Sequence, residues 1–432
     1  EFKILTGAQN HCFLSMYFTG KHDMKNSRKY IILLGDGMAD LPLDELGGRT
    51  VLEAARTPNM DFMAQNGLNG MTRTVPPGMN PGSDTANLSV FGYDPQKYYS
   101  GRAPLEAINM DIVLEPGDVA FRCNIVNAAG GLMNDFTSDH IDSRLTRIVI
   151  NEIARSIKEP GIEFYPGVSY RNIMVWRDFP GNELPATTPP HDIQGEQTAP
   201  HLPSGNGSEL LRRMMHQSKS VIADSTEIRK ALGNFQGTPE SIWLWGCGFR
   251  PAIDTLESRF GISGRTISAV DLIHGIGKAA GLKPLDVPGA TGYLDTDYEG
   301  KVKALLNSIG SCDYVFLHVE APDESGHEGN LEHKTKAIED FDSRVVGPVL
   351  EGLKKFNDYV ILLMPDHPTP LEVRTHTSDP VPFCIMAGGN LFAEERKKYN
   401  ASAYNEKCAA GTGLYIDEAH KLIEIMIRGT II

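Results

Sequence analysis

Short, almost continuous apolar runs recur along the chain, and each is typical of a buried β-strand in a parallel sheet. These runs occupy residues 30–34, 266–270, 313–319 and 359–364. Apolar residues with helical spacing lie between them, predicting helices over 57–67, 301–308, 334–353 and 415–427, with another that ends near 280. Strands that alternate with helices predict an α/β protein whose mostly parallel sheet carries helices on both faces.

The pattern changes in the middle of the chain. From about 101 to 260, turn-rich segments interleave with strand-like stretches such as 172–176 and 241–245. We therefore predict a smaller α/β domain inserted into the first domain. Residues 1–27 are predicted to be an N-terminal extension that is poorly ordered. The main domain is predicted to consist of residues 28–100 and 261–432, with the inserted domain at 101–260 between its two parts.

Length and charge restrict the classes of function. A chain of 432 residues exceeds one compact core, so two domains are expected. Its 41 basic and 55 acidic residues give a formal net charge of −14, which argues against a nucleic-acid partner. No apolar run has the length of a membrane span, and no secretory signal precedes the first strand. Six scattered cysteines without a C-x-x-C pair favour a reduced, cytoplasmic protein. No pattern indicates an oligomeric state.

Acidic residues and histidines follow several of the predicted strands. Asp36 stands between two glycines after the first strand, and Asp366-His367 directly follows 359–364. Asp323 and His327 are one helical turn apart after 313–319, and His376 lies in the loop after His367. Carboxyl ends of parallel strands meet at one sheet edge, and carboxylate with imidazole is a common ligand set for divalent metals. Each aspartate alone could equally be a turn or capping residue.

Ser83 follows a Pro/Gly-rich loop and precedes helix-forming residues. This position predicts a helix N-cap, which contributes about 1 kcal/mol. A hydroxyl at a helix N-terminus also suits a nucleophile, because the helix end stabilises negative charge and a metal lowers the hydroxyl pKa. Both roles are compatible in one residue. Counted with Ser83, seven potential ligands suffice for two metal ions of about three or four ligands each.

The inserted segment contains several polar residues suited to binding an anion. Surface arginines are usually only solvated, so none of them indicates a site alone. The candidates are Arg102, Arg122, His140, Arg171, His191, Asp192 and Arg250.

Five motifs, in this order, resemble the alkaline phosphatase superfamily and, more closely, its cofactor-independent phosphoglycerate mutases of the archaeal type. The motifs span residues 34–37, 82–87, 320–327, 365–370 and 375–382. The resemblance covers the chain from about Arg28 onward. It implies an alkaline-phosphatase-like sheet with helices on both faces, interrupted by the inserted domain.

Carried over by position, the resemblance gives two metal sites and a nucleophile. It implies one metal bound by Asp36, Ser83, Asp366 and His367, and another bound by Asp323, His327 and His376. Ser83 would take the phosphoryl group of 3-phosphoglycerate and return it to the 2-position, with no 2,3-bisphosphoglycerate primer. Manganese is favoured for the two divalent ions, with magnesium or zinc as alternatives.

The resemblance also assigns the inserted domain to the small-molecule substrate. It implies that Arg171, His140, His191, Asp192 and Arg250 bind or act on phosphoglycerate. Near Arg250 the family pattern has Gln and another residue where Cys247 and Phe249 stand, so the direction in which Arg250 points is open.

Two other functions remain open at this stage. A metal-dependent phosphatase, or a mutase for another small phosphorylated acid or phosphonate, would keep the metal ligands and differ in the inserted domain. A catalytically inactive, metal-stabilised binding protein is disfavoured because all seven ligand positions are intact. ATP use is disfavoured because no Gly-rich phosphate loop with lysine occurs.

Overall fold

The computed structural model describes residues 28–431 as two β-sheets surrounded by helices. The predicted extension at 1–27 lies outside the described residues. The strands in the described part are β1 (Lys29–Gly35), β2 (Leu68–Thr72), β3 (Val119–Val126), β4 (Ile162–Val168), β5 (Arg171–Trp176), β6 (Ser241–Phe249), β7 (Gly264–Ile267), β8 (Lys283–Pro284), β9 (Tyr314–Val319), β10 (Tyr359–Met364), β11 (Val381–Ala387) and β12 (Tyr415–Ile416).

The α-helices in the same part of the chain lie mostly between these strands, as the sequence predicts. They are α1 (Val51–Ala54), α2 (Pro58–Asn66), α3 (Ser83–Val90), α4 (Pro95–Tyr98), α5 (Arg102–Asn109), α6 (Ser143–Ser156), α7 (Ser208–Asp224), α8 (Thr226–Leu232), α9 (Leu256–Phe260), α10 (Asp271–Ala279), α11 (Tyr298–Ser308), α12 (Ala321–Glu328), α13 (Leu331–Phe341), α14 (Gly347–Leu353), α15 (Ala393–Tyr399), α16 (Glu406–Gly411) and α17 (Leu422–Arg428). Within residues 28–431, the structure contains no helix long and apolar enough to cross a bilayer.

The large sheet has eight strands in the order β12-β2-β11-β10-β1-β9-β7-β8. β1 pairs in parallel with β10 on one side and β9 on the other, so the three strands end at the same edge. β11 is antiparallel to both of its neighbours. The predicted α/β class with a mostly parallel sheet is confirmed.

Side chains of β1 alternate between two hydrophobic cores, one on each face of the sheet. Tyr30, Ile32 and Leu34 pack in one core with residues of α3, α10 and α17. Ile31 and Leu33 pack in the other with residues of α2, α11 and α13. Alternation follows from the two-residue period of a strand, and each buried aliphatic side chain contributes roughly 1.5–3 kcal/mol. Helices therefore cover both faces, as predicted.

The four-stranded second sheet is antiparallel throughout, in the order β4-β5-β3-β6. Helices α6 and α7 contribute to the core on one of its faces. On the other face, Ala103 and Ala107 of α5 pack against Ala120 and Val175. All these elements fall between 101 and 260, and the division of the chain at those residues stays our prediction.

Helix α5 lies against both sheet systems. Besides its contact with β3 and β6, it packs closely on α10 of the large-sheet region. A Cβ added to Gly275 of α10 would come within 2.0 Å of the Leu105 carbonyl oxygen. This close backbone approach requires glycine at 275 and makes α5 the junction between the two sheets.

Two local predictions are wrong. The predicted helix over 415–427 begins only at Leu422, because Tyr415 and Ile416 instead form β12, the edge strand that pairs with β2. Ser83 is not the N-cap of α3: Gly82 occupies that position in an extended conformation, and Ser83 is the first helical residue. The Ser83 hydroxyl makes no capping hydrogen bond and points toward the large sheet's strand ends.

Candidate active site and metal centre

Residues predicted to bind metal come together at the carboxyl ends of β1, β9 and β10. Asp36 follows β1, and Asp366 and His367 follow β10. Asp323 lies in the first turn of α12, just after β9. These three strands are neighbours in the sheet. The arrangement follows from parallel pairing, which places their carboxyl ends side by side.

The first predicted ligand set converges on the Nε2 atom of His367. That nitrogen lies 3.1 Å from Ser83 Oγ, 3.3 Å from Asp366 Oδ2 and 3.5 Å from Asp36 Oδ1. Both aspartates and the histidine are buried, whereas Ser83 is half-buried. The Ser83 hydroxyl is thus the accessible member of the set.

The second predicted set is equally compact. Asp323 and His327 lie one turn apart on α12, with His327 Nε2 3.2 Å from Asp323 Oδ2. His376 reaches the same carboxylate from the loop after β10, with Nε2 3.5 Å from Asp323 Oδ1. The Nε2 atoms of the two histidines are 3.0 Å apart. The rings of His367 and His376 are adjacent, with centroids 4.1 Å apart, so the two sets adjoin.

Donor separations in both sets fit divalent metal ions. Ligand atoms bonded to a metal at roughly 2.0–2.2 Å stand about 3–3.5 Å apart. The separations found here run from 3.0 to 3.5 Å. Asp36 Oδ1 is buried and accepts no hydrogen bond from the described residues, which is the state of a carboxylate oxygen available to a cation.

Charge at the strand ends also favours a cation. Burial, together with the charges of Asp366 and Asp323, raises the pKa of Asp36 well above its ordinary value. Burial and the charge of Asp323 do the same to the pKa of Glu320. Burial acts to lower the pKa of His327, but its hydrogen bond to Asp323, the charge of Asp323 and its contact with the Arg374 backbone together raise that pKa to about 9. Several buried carboxylates in one place are stabilised when positive charge compensates them.

Two residues that the sequence did not single out as ligands support this set. Asn87, one turn after Ser83 on α3, donates from Nδ2 to Asp366 Oδ2 at 2.7 Å and to the Ser83 carbonyl at 2.9 Å. His318 Nε2 lies 2.8 Å from Asp36 Oδ2. Asn87 belongs to the motif at 82–87 and could have been considered. His318 lies inside an apolar run, where a lone histidine gives no signal.

Lys334 is a third supporting residue. Its ammonium is fully buried and donates to the Ala39 carbonyl at 3.1 Å, to Asp40 Oδ2 at 2.8 Å and to the Thr369 carbonyl at 2.8 Å. Ala39 and Asp40 belong to the loop that follows Asp36, and Thr369 follows His367. Lys334 therefore ties together the two loops that carry the first ligand set.

Most of the polar candidates from the second sheet gather around Tyr170 and Trp245. The rings of His140 and Tyr170 are 6.0 Å apart, and those of His191 and Trp245 are 5.3 Å apart. The Arg122 guanidinium lies over the Trp245 ring at 4.4 Å, and Arg171 lies near Tyr170.

This group faces the candidate metal centre. Partial desolvation lowers the pKa of His191 to about 4, although 43% of its side chain is exposed, and the charges of Arg102, Arg122, His376 and His327 add to the effect. Arg102 of α5 and Arg122 of β3 therefore act on the same imidazole as His327 and His376, which requires all four to lie near His191.

His140 lies in a strained loop. Ser138, Asp139 and His140 all have φ values between 48° and 57°, a region that costs non-glycine residues roughly 1–2 kcal/mol each. Asp135 holds the loop by accepting from the backbone N–H and hydroxyl of Thr137, each at 2.7 Å, and from the Asp139 N–H. His140 is exposed.

Two predicted residues take peripheral positions. Asp192 is exposed, with Oδ1 3.5 Å from His191 Nε2. Arg250 directly follows β6 and is exposed; in residues 28–431 its side chain has no hydrogen bond or ion pair. Arg102 and Arg122 instead form ion pairs with the buried Glu106.

Comparison with known proteins gives one consistent result. A family model described as 2,3-bisphosphoglycerate-independent phosphoglycerate mutase matches residues 64–226. A Geobacter sulfurreducens protein named probable 2,3-bisphosphoglycerate-independent phosphoglycerate mutase is 51% identical, over 92% of this chain and 99% of its own. A Methanothrix thermoacetophila protein named 2,3-bisphosphoglycerate-independent phosphoglycerate mutase is 47% identical, over 93% of this chain and 100% of its own.

Solved structures agree on the fold. A Pyrococcus horikoshii protein superposes with a TM-score of 0.76 at 27% identity, covering 94% of this chain and 98% of its own. A cofactor-independent phosphoglycerate mutase from Thermoplasma acidophilum gives a TM-score of 0.62 at 22% identity, covering 93% and 99%. At that identity the second likeness concerns the fold alone.

Proposed function

This chain belongs to the 2,3-bisphosphoglycerate-independent phosphoglycerate mutase family, and from that membership we propose that it interconverts 3-phosphoglycerate and 2-phosphoglycerate through a phosphoserine on Ser83. The observation that carries this proposal is the position of Ser83 Oγ, half-buried and 3.1 Å from His367 Nε2 among buried carboxylates. The family name implies that no 2,3-bisphosphoglycerate is required.

In the proposed reaction Ser83 acts first as nucleophile and then as leaving group. Its oxygen forms a bond to phosphorus while the bond from phosphorus to O3 of the glycerate breaks, and the proton of the hydroxyl leaves Ser83 for the departing O3. After glycerate reorients, its O2 attacks the phosphoserine, the bond to Ser83 Oγ breaks, and the proton of the O2 hydroxyl passes to Ser83 Oγ. One phosphoryl group moves from O3 to O2, with no net uptake of water.

Two divalent metal ions fit the donor atoms described above. When bound, they would lower the pKa of the Ser83 hydroxyl and spread the negative charge of the phosphoryl group. Manganese is our preferred ion because the donors mix carboxylates with imidazoles. The proposed ligands are Asp36, Ser83, Asp366 and His367 for one ion, and Asp323, His327 and His376 for the other.

Arginines near the second sheet are suited to the anionic groups of the substrate. The guanidiniums of Arg102, Arg122 and Arg171 lie close enough to act on one another and on Glu106. We propose that this group, with His191 and His140, binds the glycerate and helps to exclude water that would hydrolyse the phosphoserine. Direct roles for Asp192 and Arg250 stay predictions.

The reaction is tested by phosphorus NMR. Protein with Mn²⁺ and 3-phosphoglycerate, without bisphosphoglycerate, should form 2-phosphoglycerate with little free phosphate. Ser83→Ala should abolish the reaction, whereas Ser89→Ala, a substitution on the same helix outside the ligand set, should fold and keep it. Free phosphate without 2-phosphoglycerate would make the protein a phosphatase, and near-normal turnover by Ser83→Ala would refute the phosphoserine.

We place this activity in the cytoplasm. The five cysteines in the described residues are all free, which suits a reducing compartment. Phosphorylated acids such as the proposed substrate are charged and do not cross a bilayer unaided. Fractionation of the native source, followed by immunodetection, would test the location.

A further inference from the structure

Glu106 is the shared partner of two arginines at the junction between the sheets. It lies one turn after Arg102 on α5, and Arg102 Nε donates to Glu106 Oε1 at 3.0 Å. Arg122 reaches the same carboxylate from β3, with Nε 2.9 Å from Oε2 as an ion pair without hydrogen-bond geometry. Glu106 and Arg122 are 7% and 4% exposed. The buried carboxylate of Glu106 is thus paired with the Nε atom of both arginines.

Pairing through Nε leaves the terminal nitrogens of both guanidiniums uncommitted. Among residues 28–431, neither Nη1 nor Nη2 of Arg102 or Arg122 donates a hydrogen bond. Arg171 lies near the same carboxylate, and its buried Nε also lacks a hydrogen-bond partner. Three cations around one anion leave an excess of two positive charges. Paired terminal nitrogens are the edge by which arginine binds carboxylate or phosphate bidentately.

The cluster lies beside the proposed reaction centre. The charge of Arg102 acts to lower the pKa of Glu320, which lies at the end of β9. The charge of Asp84, next to Ser83, acts to raise the pKa of Arg102. The charges of Arg102 and Arg122 also act to lower the pKa of His191, as do the charges of the two histidines in the second ligand set. An anion bound by the free guanidinium edges would therefore lie near Ser83.

We propose that Glu106 is a positioning residue that holds Arg102 and Arg122 with their terminal nitrogens directed at an oxyanion group of the substrate. The inference rests on the proposed function, because it takes phosphoglycerate as the ligand. Without the carboxylate, the buried guanidinium of Arg122 and the half-buried one of Arg102 repel each other and lose their shared orientation. Glu106 also joins β3 to α5, so it keeps an arginine of the second sheet aligned with the helix that packs on α10.

The test compares Glu106→Gln with Glu257→Gln, an exposed control on α9. Glutamine has nearly the same shape, but only one of its two terminal atoms can accept, so one arginine loses its partner. We expect KM for 3-phosphoglycerate to rise roughly 10- to 100-fold, the equivalent of one charged hydrogen bond. Since the arginines bind ground and transition states alike, kcat should stay within about threefold. The control should match the unaltered protein.

Three further measurements separate positioning from general damage. The melting temperature of Glu106→Gln should fall, because a buried ion pair is broken, whereas the Mn²⁺ affinity in the absence of substrate should change little. Glu106→Asp keeps the charge but has a shorter side chain, so its KM should lie between that of the unaltered protein and that of Glu106→Gln. If glutamine prevents folding, Glu106→Asp alone decides, and an unchanged KM in that folded variant overturns the proposal.

Competitive inhibitors identify the oxyanion. D-glycerate offers only the carboxylate, and glycerol 3-phosphate offers only the phosphate; the one whose inhibition constant rises in Glu106→Gln is the group bound by the arginines. An unchanged KM, or a loss of Mn²⁺ affinity as large as the change in KM, would overturn the inference. If the unaltered protein has no mutase activity, the proposed function fails by itself. Direct binding of the same two compounds to Glu106→Gln would then decide the inference, and equal binding to both proteins would overturn it.

Discussion

His318 Nε2 lies 2.8 Å from Asp36 Oδ2, and the other ring nitrogen of His318 lies 3.2 Å from Ser268 Oγ. Burial holds the pKa of His318 well below its ordinary value, so the ring is neutral and carries one proton. With the Ser268 hydroxyl donating to Nδ1, that proton stays on Nε2 and is donated to Asp36. The hydrogen bond engages one oxygen of Asp36 and leaves Oδ1 free for a cation.

His318→Leu should therefore weaken Mn²⁺ binding. Loss of such a supporting hydrogen bond typically costs 10- to 100-fold in metal affinity, and we expect a reduction in this range. Titration of metal-free protein with Mn²⁺, followed by calorimetry, measures it. His216→Leu, an exposed histidine on α7, is the control. Unchanged Mn²⁺ affinity in folded His318→Leu would show that Asp36 needs no support from this ring.

The Lys334–Asp40 pair predicts a different outcome for single and double substitutions. Both side chains are fully buried and 2.8 Å apart. Lys334→Met leaves Asp40 charged and unpaired, so we expect the free energy of unfolding to fall by about 3–5 kcal/mol. Lys334→Met with Asp40→Asn removes both charges and should recover part of that loss. Chemical denaturation measures both variants.

Lys336→Met provides the matched control for this pair. Lys336 is exposed on the same helix and pairs with Asp340, a contact worth about 0–1 kcal/mol. If Lys334→Met is no more destabilising than Lys336→Met, the buried pair contributes little. If the double variant is less stable than the single one, the carboxylate of Asp40 stabilises the folded state even without the lysine, through the hydrogen bonds it accepts from backbone N–H groups.

The strand ends of the large sheet could be predicted from the sequence because their determinants are local. Asp36 and Asp366 closely follow an apolar run, Asp323 lies in the first turn of the helix after one, and parallel pairing brings the three together. His376, in the loop after β10, was a candidate ligand from the same pattern, and the resemblance to a known family then divided the ligands between two metal ions. For these residues, their positions after parallel strands were enough to predict that they lie close together.

Other parts of the site depend on contacts between distant segments. Arg102 and Arg122 look like solvated arginines in the sequence, and their common partner Glu106 becomes evident only when β3 packs on α5. Lys334 occupies a position of an amphipathic helix that is usually aliphatic. The pairing of Tyr415 with β2 was missed for the same reason, since an available sheet edge overrides local helical propensity.

Removal of metal should abolish the activity reversibly. Prolonged treatment with a strong chelator should remove it, and Mn²⁺ should restore it better than Ca²⁺, which prefers six to eight oxygen ligands over imidazole. Chelator saturated with Mn²⁺ beforehand is the control for other effects of the compound. The metal content of the treated protein must be measured, because full activity after verified removal would refute the two-metal centre.

Lys301 gives the stability a pH dependence above neutrality. Its side chain is fully buried on α11 and donates to the His318 carbonyl at 3.1 Å. Burial lowers the pKa of Lys301 to about 8, with the charge of Glu320 opposing the effect, whereas an unfolded lysine titrates near 10.4. Between these values the unfolded chain holds a proton that the folded protein has lost. Stability therefore rises with pH across this window.

The measurement compares the unaltered protein with Lys301→Met between pH 7 and 10.5, in the presence of a chelator so that metal release does not contribute. Below about pH 8, the charged lysine is disfavoured in the folded state, and the difference in unfolding free energy should be constant. Above that pH it should shift in favour of the unaltered protein until the unfolded lysine also deprotonates. Lys303→Met, exposed on the same helix, should show no such shift. A flat difference for Lys301→Met would mean that Lys301 keeps its ordinary pKa, because an unshifted group contributes no slope.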